Sequence, residues 1–408
     1  MSIVVSDRSD GRGNEKGSGG PSLWSRTVIL FVVGTFFFWS ALYVYVPVLS
    51  VYAKSLGASH ALAALVVSSY GLTQLLTRIP IGFVSDLYGR RKPFVLVGLV
   101  AAIAGCLGLA WSPDPWLLVL SRAVVGLGAA MWVAFSVMFA SYFADNRAAQ
   151  AMSIITFVNG SAQALAGLIG GIISQQMGTV TTFYVGAGFA VIGLTAMIPI
   201  REVARPRKGA MSVGRLGGIA RIPVLVVSSL IALINTSVNF TTTQSFTPIY
   251  ARDLGANDSE LGLLWTIAIA AMTLASLSGA RAADRLGDRG VIVVGMLVSA
   301  AATAMVPFTT TLPGLILTQV VAGAGRGLCT PILMSLGIRA VPSHERASAM
   351  GIYQAVYSIG MFAAPPLAGM IADQLGIGAV FFAMAALSVA ASVWAAVTAG
   401  LEVRPAKG

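Results

Sequence analysis

The sequence predicts an all-α integral membrane protein whose twelve transmembrane helices form two six-helix bundles. Of the 408 residues, 56% are hydrophobic and only 10% are charged, whereas about 25% are charged in an average soluble domain. Apolar runs recur along the chain, each close to the roughly 20 residues that a helix needs to cross a bilayer. The second half of the chain also repeats features of the first half at a constant offset.

Twelve apolar runs, separated by segments rich in glycine, proline and charge, are long enough to cross a bilayer. The predicted spans, numbered 1 to 12, are residues 27–49, 62–81, 94–110, 116–140, 151–173, 182–200, 222–249, 261–280, 291–309, 312–338, 347–371 and 377–401. Residues 1–26 contain little apolar surface, and we expect a disordered tail there. Residues 201–221 link the predicted bundles 27–200 and 222–401, and residues 402–408 form a second tail.

The basic residues predict the orientation of the chain, because Lys and Arg are retained on the cytoplasmic side during insertion. All but five of the 26 Lys and Arg lie in the two tails or in alternate loops, beginning with the loop after span 2. The exceptions are Lys54 and Arg252 in other loops and Arg78, Arg122 and Arg326 within spans. Both termini are therefore predicted to be cytoplasmic, in a multi-pass protein of the plasma (inner) membrane. The net charge of +11 reflects topology and attraction to anionic lipid, so no nucleic-acid partner is expected.

A repeat at an offset of 198 residues relates the two halves of the chain. The segment YAKSLGA after span 1 pairs with YARDLGA after span 7. In the loops after spans 2 and 8, identical residues recur at this offset: Asp86, Gly89 and Arg91 fall on Asp284, Gly287 and Arg289. Because six spans return the chain to its starting side, the halves are parallel repeats. A binding site is then expected near mid-membrane between them.

Three motifs carry a resemblance to a known family. The loop after span 2 reads GFVSDLYGRRK at residues 82–92 and resembles the signature loop of the major facilitator superfamily, with a decayed copy, ARAADRLGDRG, after span 8. Span 4 contains RAVVGLG at 122–128, similar to the Arg-and-glycine motif of proton-coupled members. Span 5 contains AGLIGG at 166–171, where drug/proton antiporters carry Gly-Pro-x-x-Gly-Gly. The pattern is most similar to the antiporter-like members, although the proline is missing.

The resemblance implies a gate at the signature loop. In the family, the aspartate of this loop joins span 2 to span 11 in one conformation. A gating role is therefore expected for Gly82, Asp86, Gly89, Arg90, Arg91 and Asp284. Gly82 lets neighbouring helices approach closely, as small residues do in lipid. The alternative for the basic residues is that they serve only to set the topology.

The resemblance also implies that spans 1, 4, 7 and 10 line a central cavity, supported by spans 5, 8 and 11. Polar and aromatic residues recur at helical spacing on single faces of these helices. The candidate substrate-binding residues are Trp39, Tyr43, Arg122, Asn159, Gln163, Asn235, Asn239, Gln319, Arg326, Gln354 and Tyr357. The alternative is that amides and hydroxyls only join neighbouring helices by hydrogen bonds.

Two arginines are the sharpest candidates. Arg326 lies about fourteen residues into span 10, roughly 20 Å from its outer end. Insertion scales assign about 2.5–3.5 kcal/mol to an arginine at that depth, so it usually faces water or a partner. None of the 15 Asp and Glu lies in the middle of a predicted span, and Arg122 in span 4 likewise has no evident counter-charge. Two such guanidinium groups favour an anionic cargo; alternatively, both are structural.

These observations predict a secondary transporter that moves a small molecule by alternating access. Proton-coupled efflux of amphipathic compounds or drugs is the first interpretation, because Trp39, Tyr43, Tyr353, Tyr357 and Met361 offer adaptable apolar contacts. Transport of an organic anion or metabolite bound by Arg122 and Arg326 is the alternative. A passive channel or a membrane sensor is a third possibility.

The energy source and the partners complete the expectation. No catalytic set, metal-ligand cluster or phosphate-binding loop occurs in a plausible context, so neither an enzyme nor a metal site is predicted. No cofactor is expected. The proton gradient is the expected energy source, with Asp86 the leading titratable group, while sodium coupling, exchange and facilitated diffusion stay open. The expected partners are a small-molecule substrate and the lipid bilayer, and the protein is expected to act as a monomer.

Overall fold

The computed structural model describes residues 25–143, 147–202, 217–339, 341 and 346–398. Nearly all of the two predicted tails and most of the predicted linker lie outside these residues. The described residues form helices and no strand, and twelve helices are long and apolar enough to cross a membrane. The predicted fold class is therefore confirmed.

The observed spans are close to the predicted ones, although several extend beyond the apolar run. Their bounds are Arg26–Ser55, His60–Gly82, Lys92–Ala110, Pro115–Ala140, Gln150–Met177, Thr179–Met197, Pro223–Asp253, Asp258–Gly279, Arg281–Phe308, Leu312–Arg339, Ser348–Leu375 and Ile377–Val397. The helix of span 2 continues past Gly82 to Tyr88. The signature loop therefore begins as the last two turns of a helix.

Three of the spans expected to line the path are interrupted near their middle. Span 1 consists of the helices Arg26–Tyr43 and Val46–Ser55. Span 4 is broken between Pro115–Ala130 and Trp132–Ala140. Span 7 contains a π-helical segment, Phe240–Phe246. Irregular backbone inside a membrane protein is tolerated where protein or a water-filled cavity surrounds it, and π-helical segments often lie at functional sites.

The duplication is present in the backbone as well as in the sequence. The described residues contain six glycines with positive φ, and all of them end helices or join two. They form three pairs 198 residues apart: Gly57 and Gly255 (85° and 89°), Gly89 and Gly287 (64° and 71°), and Gly178 and Gly376 (86° and 83°). A side chain in this left-handed region costs roughly 1–2 kcal/mol. The same turns therefore connect equivalent spans in both halves.

The two ends of the bundle can be told apart by their contacts. We call the end that carries Ser25 and Thr398 the terminal face, and the opposite end the distal face. At the terminal face, Glu202 accepts the backbone N–H groups of Arg91 and Lys92 and so caps the start of span 3. A carboxylate at a helix N-terminus is favourable because it complements the helix dipole. This contact fixes the loop after span 2 against the end of span 6.

The halves meet along two helix pairs, span 2 with span 11 and span 5 with span 8. Each pair is packed closely because glycines face the partner helix. A Cβ added at Gly71 would lie 2.7 Å from Met361, and one at Gly171 would lie 2.7 Å from Gly262. Small residues at helix crossings let backbones approach in lipid. The seam between the halves, where a substrate path is expected, thus lies between these two pairs.

Candidate functional site

At the distal face, the span 2–span 11 pair is joined by a helix-end contact. Asp373, near the end of span 11, accepts the backbone N–H groups of His60 at 2.8 Å and Ala61 at 3.1 Å. The Nδ1 atom of His60 also lies 2.8 Å from the Asp373 carboxylate. A side chain of one half thus caps a helix of the other half.

The same contact recurs in the span 5–span 8 pair. The Oε1 atom of Gln175 accepts the backbone N–H of Asp258 at 3.0 Å. His60 and Asp258 are equivalent under the 198-residue repeat, and so are Gln175 and Asp373. We call these two equivalent helix-end contacts the distal caps. Together they join the two halves at the distal face, at two positions that are equivalent in the repeat.

Aromatic side chains cluster in the middle of the first half. Trp39 and Tyr43, both predicted site residues of span 1, have ring centroids 5.8 Å apart, and Trp39 also contacts Trp132 of span 4. The cluster reaches the second half, since the rings of Tyr43 and Trp265 are 5.9 Å apart. Tyr43 is therefore brought to the seam, and Trp39 packs directly behind it in the first half.

Arg122 lies inside this aromatic cluster. It has no exposed surface. Its Nη1 atom donates to the hydroxyl of Tyr45 at 2.7 Å and to the carbonyl of Leu42 at 3.1 Å, next to the break in span 1. The ring centroids of Tyr70 and Tyr45 lie 4.4 and 5.3 Å from its guanidinium carbon. Such cation–π contacts contribute up to about 2 kcal/mol each when desolvated. Arg122 thus ties span 4 to spans 1 and 2.

Arg326 has a different environment. It is 2% exposed, and its Nη2 atom donates to the hydroxyl of Thr243, at 2.8 Å, in the π-helical segment of span 7. That hydroxyl in turn donates to Oε1 of Gln319, at 3.3 Å. The Nε and Nη1 atoms of Arg326 are buried without a hydrogen-bond partner, and no acidic side chain in the described ranges pairs with it. Gln319 and Arg326 are therefore brought together, as their spacing predicts.

Asn235 and Asn239 of span 7 and the amide pair of span 5, Asn159 and Gln163, are further predicted site residues. Asn235 donates to Thr330 of span 10 at 3.3 Å, and Asn239 ends the α-helix that precedes the π-helical segment. Gln163 donates to Asn159 one turn earlier, and its backbone carbonyl accepts the indole N–H of Trp265 at 3.2 Å. Of these four side chains, Asn235 joins two helices, and Gln163 lies where spans 5 and 8 meet.

Arg78 is a site residue that the sequence reasoning left without a role. It is 6% exposed, donates to the hydroxyl of Tyr357 in span 11 at 2.7 Å, and also donates to Gln74. Tyr357 is thus placed on the seam, in contact with the other half. The spacing of Gln74 and Arg78, four residues apart in an apolar span, is a signal that could have indicated this face.

Gln354, a predicted site residue of span 11, lies one turn before Ser358. Its Oε1 atom is buried without a hydrogen-bond partner.

The predicted gating residues lie at the terminal face. Gly89 ends the helix of span 2 in the left-handed conformation, and Arg90 and Asp284 are exposed. The side chain of Asp86 lies outside the described part of the structure. A Cβ added at Gly82 meets no described atom within 4 Å, so the close helix approach expected there is not present among the described residues. The described residues also contain no group of three or more His, Cys, Asp or Glu side chains that could bind a metal ion.

A family model described as Major Facilitator Superfamily matches residues 31–251 and 225–408, which is nearly the whole chain. The chain belongs to the major facilitator superfamily. The resemblance drawn from the sequence motifs is thereby confirmed. A member of this superfamily with this fold is a multi-pass membrane transporter of small molecules and not an enzyme.

Individual superfamily members are similar over most of their length. The inner membrane transport protein YajR of Escherichia coli (strain K12) is 27% identical over 395 residues, which cover 89% of this chain and 80% of YajR. The multidrug resistance protein MdtG of Citrobacter koseri is 23% identical over 374 residues, covering 88% and 92%. The crystal structure of the nucleoside transporter NupG has the same fold, with a TM-score of 0.77 at 14% identity, covering 91% and 99%.

Proposed function

We propose that the protein exports amphipathic small molecules by alternating access, driven by the proton gradient. The observation that carries this proposal is the asymmetry of the seam. The first half contributes aromatic rings, including Trp39, Tyr43 and Trp132. The second half contributes polar groups of Thr243, Gln319 and Arg326. A molecule with one aromatic and one polar end would match these two sets of groups, and the similarity to MdtG, named a multidrug resistance protein, supports export.

The distal caps supply the contacts that alternating access must break. With both termini cytoplasmic in the plasma membrane, as the basic loops predict, the distal face is external and the present conformation is inward-facing. We assign closure of the terminal face to Gly82, Asp86, Gly89, Arg90, Arg91 and Asp284. Because a single chain contains both halves of the path, a monomer is sufficient for transport.

Asp86 is the proposed proton-binding group. No described carboxylate lies in the middle of a span; Asp258 and Asp373 are at span ends on the distal face. Asp86 lies near the end of the span 2 helix at the terminal face. There, an ionised carboxylate is favoured by the field of a helix N-terminus, and protonation would remove that attraction. No cofactor is required for this cycle.

Everted membrane vesicles test proton-driven export. When the vesicle interior is acidified, vesicles with the wild-type protein are expected to accumulate aromatic amphipathic dyes, and collapse of the pH gradient should stop accumulation. The Asp86→Asn variant is expected to lose at least about tenfold in gradient-driven accumulation, because it cannot release a proton. Asp114→Asn is the matched control, since Asp114 only caps span 4 at the distal face. Accumulation that continues after the gradient is collapsed would contradict proton coupling.

A further inference from the structure

We infer that the transported molecules are amphipathic carboxylates and that Arg326, rather than Arg122, binds the carboxylate group. This inference rests on the proposed function and adds to it the charge of the substrate and the side chain that recognises it. The sequence alone offers both arginines as ligands for an anionic cargo, and the contacts of each in the structure distinguish them.

The charge of Arg122 is already opposed by protein groups. A carbonyl and a hydroxyl accept from its Nη1 atom, and the electron-rich faces of Tyr45 and Tyr70 lie against its guanidinium group. Its Nε and Nη2 atoms lack hydrogen-bond partners, but they lie within this packed cluster. A carboxylate could reach them only by displacing aromatic rings that hold spans 1, 2 and 4 together.

The charge of Arg326 is opposed by no comparable group. One neutral hydroxyl, that of Thr243, is its hydrogen-bond partner in the described structure, and no aromatic ring lies over its guanidinium group. A buried, uncompensated charge is costly. A bound carboxylate would compensate it directly.

The geometry of Arg326 leaves a complete two-donor edge for a carboxylate. The Nη2 atom carries two hydrogens, and Thr243 accepts one of them. If the Nη2 hydrogen that points toward Nε binds Thr243, the pair of hydrogens on Nη1 and Nη2 that point the same way stays free. If the other Nη2 hydrogen binds Thr243, the pair on Nε and Nη2 stays free. Since Nε and Nη1 have no partners, either case leaves the paired donors that bind a carboxylate bidentately.

The π-helical segment positions the neutral partners of this site. It places the hydroxyl of Thr243 between Arg326 and Gln319, so that the hydroxyl accepts from one and donates to the other. This hydrogen bond helps to orient the guanidinium group. Two further polar atoms of the same segment, Oγ1 of Thr241 and Oε1 of Gln244, are buried without a partner.

The duplication does not account for Arg326. Spans 3 and 4 cross at Gly98 and Gly128, and spans 9 and 10 cross in the same way at Gly295 and Gly325. Here the equivalent glycines are 197 residues apart, one fewer than in the loops, and this register makes Gln319 the counterpart of Arg122 and Ala129 the counterpart of Arg326. The second half therefore has a guanidinium where the first half has a methyl group. Neither arginine has an arginine counterpart, so each is specific to its own half, and their different contacts decide between them.

The test is the charge preference of the full-length protein in lipid nanodiscs, measured by calorimetry with 2-naphthoate and its neutral isostere 2-naphthamide. The wild-type protein is expected to bind 2-naphthoate at least about tenfold more tightly. Arg326→Gln should remove this preference while leaving 2-naphthamide binding within about twofold. Thr243→Val should lower only 2-naphthoate affinity, by a few fold, because the guanidinium loses its orientation.

Arg122→Gln is the matched arginine control, and folded protein is selected by size-exclusion chromatography before every measurement. The folded fraction of this variant should keep the preference for 2-naphthoate. Equal binding of both probes by the wild-type protein, no binding of 2-naphthoate at its solubility limit, or loss of the preference in Arg122→Gln instead of Arg326→Gln would each overturn the assignment. Failure of proton-driven export with an intact charge preference would reject the proposed function and leave the anion site in place.

Discussion

Replacing Gly369 with valine is expected to reduce transport at least about tenfold while leaving the protein folded. Gly369 lies in span 11 where that helix crosses the start of span 2, and an added Cβ would overlap the backbone of Ala61. The added Cβ would be attached directly to one helix backbone and would overlap the backbone of the other helix, so no side-chain rotation can relieve the overlap. In the proposed transport cycle, this contact is present only while the distal face is closed, so the substitution is expected to act on one conformation.

The expected size follows from the cost of overpacking. Forcing extra methyl groups into a packed contact costs typically about 1–3 kcal/mol, and 2 kcal/mol shifts a two-state equilibrium by roughly thirtyfold. The distal-closed state should thus become a minor population, and the cycle should slow accordingly. The measurement is substrate flux in proteoliposomes, with spin-label distances across the distal face as a second readout.

Gly188→Val is the matched control for Gly369→Val. Gly188 lies in span 6 and is exposed, and a Cβ added there meets no described atom within 4 Å. Its substitution should leave flux unchanged. If Gly369→Val transports at the rate of Gly188→Val and shows the same distal distances, the closed contact between spans 2 and 11 is not required for transport.

Replacing Arg122 with glutamine is expected to destabilise the folded protein by about 3 kcal/mol. Glutamine cannot reproduce the hydrogen bonds to Tyr45 and Leu42 together with the cation–π contacts to Tyr45 and Tyr70. Hydrogen bonds from a charged group contribute roughly 1.5–3 kcal/mol, and the acceptors left buried add to the loss. Because these contacts join three spans of one half, their loss should lower the midpoint of thermal unfolding by several degrees.

A thiol-reactive dye measures this unfolding directly. The two cysteines, Cys106 and Cys329, are buried, so the dye labels the protein only as it unfolds. Arg339→Gln is the control, because Arg339 forms a partly exposed ion pair with Asp288 of a kind that contributes about 0–1 kcal/mol. Equal midpoints for Arg122→Gln and Arg339→Gln would show that the aromatic cluster does not stabilise this half.

Hydropathy and the repeat were sufficient to predict the twelve spans and their pairing into two halves. They could not predict the breaks in spans 1, 4 and 7. The residues on both sides of each break are apolar or uncharged, so the hydrophobic run continues across the point where the helix is interrupted. The π-helical segment that places Thr243 against Arg326 is invisible in the sequence for the same reason.

The candidate site was predictable where polar residues recur on one face of a span. Gln319 and Arg326 are the clearest case, since helical spacing alone brings them together. The partners of Arg122 were not predictable, because Tyr45 and Tyr70 read as part of apolar runs until the helices are packed. The distal caps were not predicted either. His60 and Asp258 occupy equivalent positions, but a search for identical residues cannot relate a histidine to an aspartate.

The proposed transport cycle requires that the two halves separate at the distal face. Its most direct test is a double variant, His60→Cys with Asp373→Cys, treated with a short, reducible bifunctional thiol reagent in proteoliposomes. Both replaced side chains belong to one distal cap and touch in the present conformation. Alternating access predicts that cross-linking stops substrate flux and that a reductant restores it, with no effect of the reagent on either single variant. Flux that continues unchanged after complete cross-linking would contradict it.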